Sequence, residues 1–206
     1  METPTPELDS NESGRGRRRP GARKLQILQT LAAMLEDPRA EKVTTAALAA
    51  RLEVSEAALY RHFASKAQMF EGLIEFIETT VFSLINDIAT KEASGRQQVT
   101  QMVRMLLDFA QTNRGMTRVL IGDALVNENE RLQDRMNRLL DRIESSLKQA
   151  LRVAVSQAEL PPDFDTAARA SMSVAYVLGR WHRYSKSGFR KLPGESLDEH
   201  LAALVA

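Results

Sequence analysis

The sequence predicts an all-α protein, with a small head of three helices carrying a helix-turn-helix ahead of a larger helical body. Three observations carry this reading. From Arg23 onward apolar residues recur at three- and four-residue steps, no segment sustains the two-residue alternation of a strand, and residues 44–66 hold two short helical patterns around a tight turn. The divisions fall at an N-terminal arm over 1–22, a head over 23–66 and a body over 67–206.

Taken in order, the arm is rich in Pro4, Pro6, Ser10, Asn11, Gly14, Gly16 and Pro20 and poor in apolar side chains. It cannot bury enough surface to offset the entropy of ordering and reads as a disordered tail. Helix one has Ile27, Leu28, Leu31 and Leu35 on one face and Asp37-Pro38 at its end. Thr44 or Thr45 caps a short helix to Leu52, and Ser55 caps another with Leu59 and Phe63 turned inward. Glu53 stands in the connecting turn where many such turns have glycine, and a left-handed conformation there costs roughly 1–2 kcal/mol. Ser65 caps a long helix whose Met69, Phe70, Leu73, Ile74, Ile77, Val81, Leu84, Ile85 and Ile88 share its inward side.

A polar connection over 91–95 leads to a helix from Arg96 to Gln111. Asn113-Arg114-Gly115 reads as a turn with a left-handed glycine, and Met116 to Ala124 as a short helix. From Asn127 to about Gln157, Leu132, Met136, Leu139, Ile143, Leu147, Ala150 and Ala154 form one narrow seam of coiled-coil type, flanked by Asp134/Arg138 and Glu144/Lys148 pairs. Pro161-Pro162 ends it, Asp163 or Asp165 caps the next helix to about Ser185, and a last helix starts at Ser196.

Composition narrows the function. Zero cysteines exclude a disulfide scaffold, a Cys-ligated metal site and a thiol nucleophile, and they suit a reducing cytoplasm. No apolar run approaches the ~20 residues that span a bilayer, so no membrane segment is expected. His62, His182 and His200 lie too far apart for a helical zinc site, and no phosphate-binding or nucleophile-elbow string occurs. Neither an enzyme nor a cofactor or metal protein is expected. The net charge of +1 is unevenly spread: residues 1–12 carry four acids and no base, residues 13–66 are net +6, and the rest is near neutral. Charge gathered in one segment of a balanced chain points to a localised polyanion contact.

That segment contains the helix-turn-helix. Ser55 and the amides that follow can meet a phosphate, while Glu56, Ala57 and Ala58 leave little bulk between their helix and base edges. Tyr60, Arg61, His62 and Lys66 offer donors to the flanking backbone, and Thr44 and Thr45 do so on the other side of the groove. The run Arg15, Arg17, Arg18, Arg19, Arg23, Lys24 supplies an arm that can enter an adjacent minor groove or neutralise phosphates.

The string LYRHFASKAQMFEGLI, with Tyr60, His62, Phe63 and Lys66 in the aromatic-x-His-Phe-x-x-Lys pattern, resembles the N-terminal region of TetR-type transcriptional regulators. The resemblance implies a homodimer whose heads bind a pseudo-palindromic DNA site. It is closer to one branch, the nucleoid occlusion factors, and runs from about Arg23 to Ser185, taking in NRGMTRVLIGDALVNENERLQDRMNRLLDRIE of the body. Membership of that branch implies a cytoplasmic, nucleoid-associated protein, bound as one or more dimers per DNA site, that antagonises polymers of the division protein FtsZ. By the same resemblance the FtsZ tail lies along the fourth and fifth helices, with Phe76 and Asn113 in matching positions and departures at Leu84, Asp108 and Thr112. Read from the residues alone, Phe76 is a core aromatic before it is a groove residue.

One rival is a repressor of the same family released from DNA by a small effector, with Met102, Met105, Phe109 and Met116 either lining a cavity or packing a core. The dimer has its own support. Ala167, Ala168, Ala170, Ser171, Ser173, Ala175 and Gly179 let helices approach closely, so this helix and the 127–157 helix of two copies are expected to form a four-helix interface. Trp181 and Tyr184 are either anchors there or core residues.

Overall fold

A computed structural model describes residues 21–37 and 43–204. Among these residues all regular structure is helical, as the periodicity predicts: α1 (Ala22–Leu35), α2 (Thr45–Arg51), α3 (Glu56–Tyr60), α4 (Lys66–Lys91), α5 (Gly95–Thr112), α6 (Arg114–Leu120), α7 (Glu130–Ser156), α8 (Thr166–Lys186) and α9 (Leu197–Leu204), with one 3-10 turn over Asp123–Leu125. Arg17, Arg18 and Arg19 lie outside the described residues.

The helix starts are set by side chains that accept orphan amides. Thr44, Ser55, Ser65 and Asp165 do so at α2, α3, α4 and α8, and Ser94 and Asn129 at α5 and α7. Of the paired alternatives, Thr44 and Asp165 are the caps. Glu53 takes the left-handed conformation its turn demands, with φ 55°. Gly115 does not: it lies inside α6, which begins at Arg114, and its small size serves a close approach to α1. The seam helix starts at Glu130, three residues later than its periodicity suggests, because Asn129 is its cap.

In the body α5, α7 and α8 pack on one another, with α4 across α7. The α7 seam is spent on this protomer's own core: Leu132, Met136, Leu139, Ile143, Leu147, Ala150 and Ala154 are all buried. The α5 and α7 backbones nearly touch, since a Cβ on Gly95 would lie 2.2 Å from the Ala154 amide nitrogen. The α7 exit then caps α5, with Gln157 Oε1 accepting from the Gly95 amide (2.9 Å) and Glu159 Oε2 from the Arg96 amide (2.8 Å). Trp181 and Tyr184 are core residues, both 0% exposed, and hold α8 to α5: the indole Nε1 donates to the Leu106 carbonyl and the phenol to that of Gln111. Ala168, Ser171, Met172, Ala175, Gly179 and His182 form an exposed face of α8.

The head is seated on the body through α1. Its Ile27, Leu31 and Leu35 are buried with Met69, Phe70 and Leu73 of α4, and α6 crosses its far end. There Arg118 Nη1 donates to the carbonyls of Asp37 (3.0 Å) and Leu35 (3.4 Å), and its Nε donates to Asp123. Asp123 also pairs with Lys186 at the end of α8.

Candidate nucleic-acid interface and partner groove

The helix-turn-helix forms because each of its short helices has its own cap and one buried stripe. Leu48 and Ala49 of α2 and Leu59 of α3 face inward with Phe63, leaving the opposite faces to solvent. The Thr44 hydroxyl accepts from the Ala47 amide (3.1 Å) and Ser55 from the Ala58 amide (3.3 Å). The starts of the two helices are joined by side chains: Thr45 Oγ1 donates to Glu56 Oε2 at 2.6 Å, and the Tyr60 hydroxyl reaches Thr45 Oγ1 at 3.5 Å. Residues assigned to both sides of a DNA groove are thereby held in one polar cluster.

The surface beside it is largely open to solvent. Ser55, Glu56, Ala57 and Arg61 are exposed, Ala58 and His62 half-buried, and Tyr60 keeps 44% of its surface in solvent. The small pair Ala57 and Ala58 sits between the cap and the aromatic and leaves little side-chain bulk there, while Tyr60 and Arg61 are exposed beyond it. Arg23 is on the first turn of α1 and hydrogen-bonds Gln26 within its own helix. Lys24 lies 5.5 Å from the Phe63 ring centroid, which brings the root of the arm beside the exit of α3.

Lys66 behaves differently from its neighbours. Its ammonium is 2.5 Å from Glu128 Oε1, in the connection before α7, and 5.6 Å from the Phe70 ring centroid. The sequence motif marks Lys66 as a backbone donor, but its partner here belongs to the body, 62 positions away.

The α4–α5 face carries a groove of about 490 Å³, walled by Leu84, Asp87, Ile88 and Lys91 of α4 and Gln101, Arg104, Met105 and Asp108 of α5. Leu84 was expected to face inward with its row, yet it is 38% exposed on this wall. Two of the departures, Leu84 and Asp108, are therefore groove residues. Phe76 is 41% exposed about two turns before Leu84, which separates it from the core it could have joined. Asn113 is a junction residue: its side chain donates to the Phe109 carbonyl at 2.8 Å where α5 passes into α6. Arg104 was missed, and Met105 was read as a cavity or core residue, because a single periodic stripe cannot say which of its edges another helix leaves open. Met102 and Phe109 are buried in the core, whereas Met105 borders the groove.

Among the described residues no helix is long and apolar enough to cross a membrane, and no group of three or more acids or histidines is placed to hold a metal ion.

A three-helix head with a capped, exposed second short helix on an all-helical body defines the class of TetR-type DNA-binding regulators, and comparison with known proteins agrees. The model of bacterial regulatory proteins of the tetR family matches residues 27–73, and that of the tetracyclin repressor-like C-terminal domain of SlmA-like type matches 95–205. Solved structures with this fold include FadR of Bacillus subtilis with stearoyl-CoA (TM-score 0.75, 14% identity, 88% of this chain and 97% of that one) and a TetR-like regulator from Rhodococcus sp. RHA1 (TM-score 0.72, 18% identity, 92% and 96%). The nucleoid occlusion factors SlmA of Alteromonas mediterranea (46% identical over 88% of this chain and 93% of the relative) and Vibrio cholerae (46%, 89% and 94%) are similar along nearly their whole length. The chain belongs to the SlmA family of nucleoid occlusion factors.

Proposed function

We propose that this protein is a dimeric, sequence-specific DNA-binding nucleoid occlusion factor, acting on the nucleoid in the cytoplasm, that binds chromosomal DNA and FtsZ together and antagonises FtsZ assembly there. The observation that carries the reading is the 46% identity to the SlmA proteins over 88% of the chain, body as well as head. No catalytic step is part of it.

In this reading the head, residues 23–66, presents Ser55, Glu56, Ala57 and Ala58 to the major groove. Thr44, Thr45, Tyr60, Arg61, His62 and Lys66 hold the backbone, and Arg17, Arg18, Arg19 and Arg23 add phosphate contacts. Two heads on a pseudo-palindrome follow from pairing of two copies, with room for more than one dimer per site. The body, residues 67–206, offers the α4–α5 face, with Phe76, Asn113 and the groove around Leu84 and Arg104, to an FtsZ segment. A groove that pairs apolar Leu84, Ile88 and Met105 with the charges of Arg104, Lys91 and Asp108 suits an extended peptide of mixed character.

The test is FtsZ polymer pelleting with this protein, with and without its DNA site. DNA-dependent loss of polymer is expected; polymer unaffected under both conditions removes the reading. A second reading, a repressor released by an effector, draws on FadR with stearoyl-CoA. That likeness carries the fold alone, and two of the side chains a cavity would need, Met102 and Phe109, are packed in the core.

A further inference from the structure

We propose that Lys66 exchanges partners on DNA: its ammonium, held by Glu128 in the free protein, transfers to a DNA phosphate, so that occupancy of the head loosens a contact that fixes the head to the body. This rests on the DNA-binding reading above and assigns a switch to that same site.

The first argument is the residue's place on its helix. Lys66 is the first residue of the 26-residue α4, directly after the Ser65 cap, and the first turn contains no acid. A helix N-terminus carries partial positive charge, so a cation there is disfavoured unless an anion accompanies it. Glu128 supplies that anion at 2.5 Å. A phosphate satisfies the same requirement, because it is anionic and neutralises both the ammonium and the helix end.

The second is its position between two surfaces. On one side Lys66 neighbours Thr44 and Thr45 at the start of α2, the edge assigned to backbone contact, across a tight crevice otherwise lined by Leu31, Val43, Leu48 and Met69, so its route to DNA runs over the outside of that crevice. On the other it lines a cleft of about 190 Å³ with Arg118, Asp123 and Glu128 of the body. A flexible four-carbon stem carrying a point charge with three donors can turn from one side to the other by rotamer changes, without moving α4. The pair is asymmetric: the lysine side chain is 21% exposed and the glutamate 9%, so the cation is the member with a path to solvent and DNA.

The third is energetic. The ammonium is the partly exposed end of the pair, and a phosphate within the dense charge of a duplex competes for it. The bonds from Arg118 to the Leu35 and Asp37 carbonyls do not involve Lys66 or Glu128, so giving up the ion pair relaxes the junction without removing them. Linkage makes the effect reciprocal: whatever strengthens Lys66–Glu128 weakens DNA binding by the same factor.

The experiment compares the full chain with Glu128→Gln, Lys66→Gln and the double variant. Each is titrated over a salt series with a duplex recovered by selection from random sequence, and each is melted without DNA to verify folding. Glu128→Gln is expected to bind on the order of five-fold more tightly per subunit, because no ion pair must be given up. Lys66→Gln should weaken binding and lower the salt slope by about 0.9 per subunit. In the Lys66→Gln background, Glu128→Gln should change nothing. Equal tightening in that background would mean a general field effect and overturn the exchange, as would weaker or unaltered binding by folded Glu128→Gln. Wild type binding no recovered duplex at all would remove the DNA-binding reading along with this one.

Discussion

The Ala32 carbonyl of α1 occupies the space that a side chain on Gly115 of α6 would need: a Cβ built there lies 1.9 Å from the oxygen. Both groups are backbone, so the clash cannot be relieved by a rotamer. The contact sits next to the Arg118 bonds to the end of α1, and together they fix how the head stands on the body. Gly115→Ala is expected to push α1 off α6 and cost about 1–3 kcal/mol or more. If two copies bind DNA as proposed, it should also weaken DNA binding at temperatures where the variant is folded, because head orientation would then set the spacing of the two heads. Urea unfolding read beside DNA titration checks this, and an unchanged urea midpoint would disprove the close contact.

Trp181 ties α8 to α5, the helix that forms one wall of the α4–α5 groove. Its indole is fully buried and donates at 3.0 Å to the Leu106 carbonyl in the middle of α5. Trp181→Phe keeps much of the apolar volume but removes the donor, and a lost buried hydrogen bond is expected to destabilise by about 1–3 kcal/mol. Trp181→Ala adds a cavity and should cost about 3–5 kcal/mol. Denaturant unfolding of the two variants separates bond from volume; Trp181→Phe as stable as wild type would mean that the bond contributes nothing.

Asp123 is pulled in both directions. Burial raises its pKa, but the hydrogen bond and charge of Lys186 and the neighbouring Arg118 outweigh that and leave the carboxyl below its ordinary value. A depressed folded-state pKa stabilises the protein above the unfolded value, near pH 4, and that contribution is lost as pH falls through the folded value. Asp123→Asn should therefore be less stable than wild type at neutral pH, with the gap closing below about pH 4. Urea midpoints across that range test it. A gap that is constant with pH would show that the carboxylate charge is not what stabilises the junction.

Local chemistry made much of this fold legible. Thr44, Ser55, Ser65 and Asp165 cap helices because a short oxygen ahead of an apolar stripe has few better uses, and Glu53 had to be left-handed for two short helices to turn so tightly. What stayed hidden was what lies opposite each residue. Gly115 reads as a helix stop until the Ala32 carbonyl is seen against it. Leu84 belongs to an apolar row wider than the surface α5 and α7 can cover, so one edge of the row faces solvent. Lys66 reads as a free donor because Glu128 comes from a distant connection. Within the candidate interface the capping and aromatic residues were therefore readable, and the ion pair and the groove walls were not.

The α8 face is the place to test pairing of two copies. Ala168, Ser171, Met172, Ala175 and Gly179 are exposed along one side, small side chains around Met172 at 55% exposure, which leaves a shallow surface that a second helix can approach closely. Nothing lies within 4 Å of a Cβ on Gly179, so the protomer itself has room for a larger residue there. Replacing glycine inside a helix also improves helix propensity, by roughly 0.5–1 kcal/mol. Gly179→Leu should fold at least as well as wild type, and any loss of assembly then reports on a second copy and not on misfolding. Wild type is expected to sediment at twice the 23.0 kDa chain mass, and Gly179→Leu or Ala175→Glu close to the single-chain mass. A monomeric variant should also lose most of its affinity for a pseudo-palindrome while keeping weak half-site binding, since two linked heads gain from effective concentration. If Gly179→Leu sediments as a dimer with unaltered DNA affinity, the α8 face is not where the copies meet.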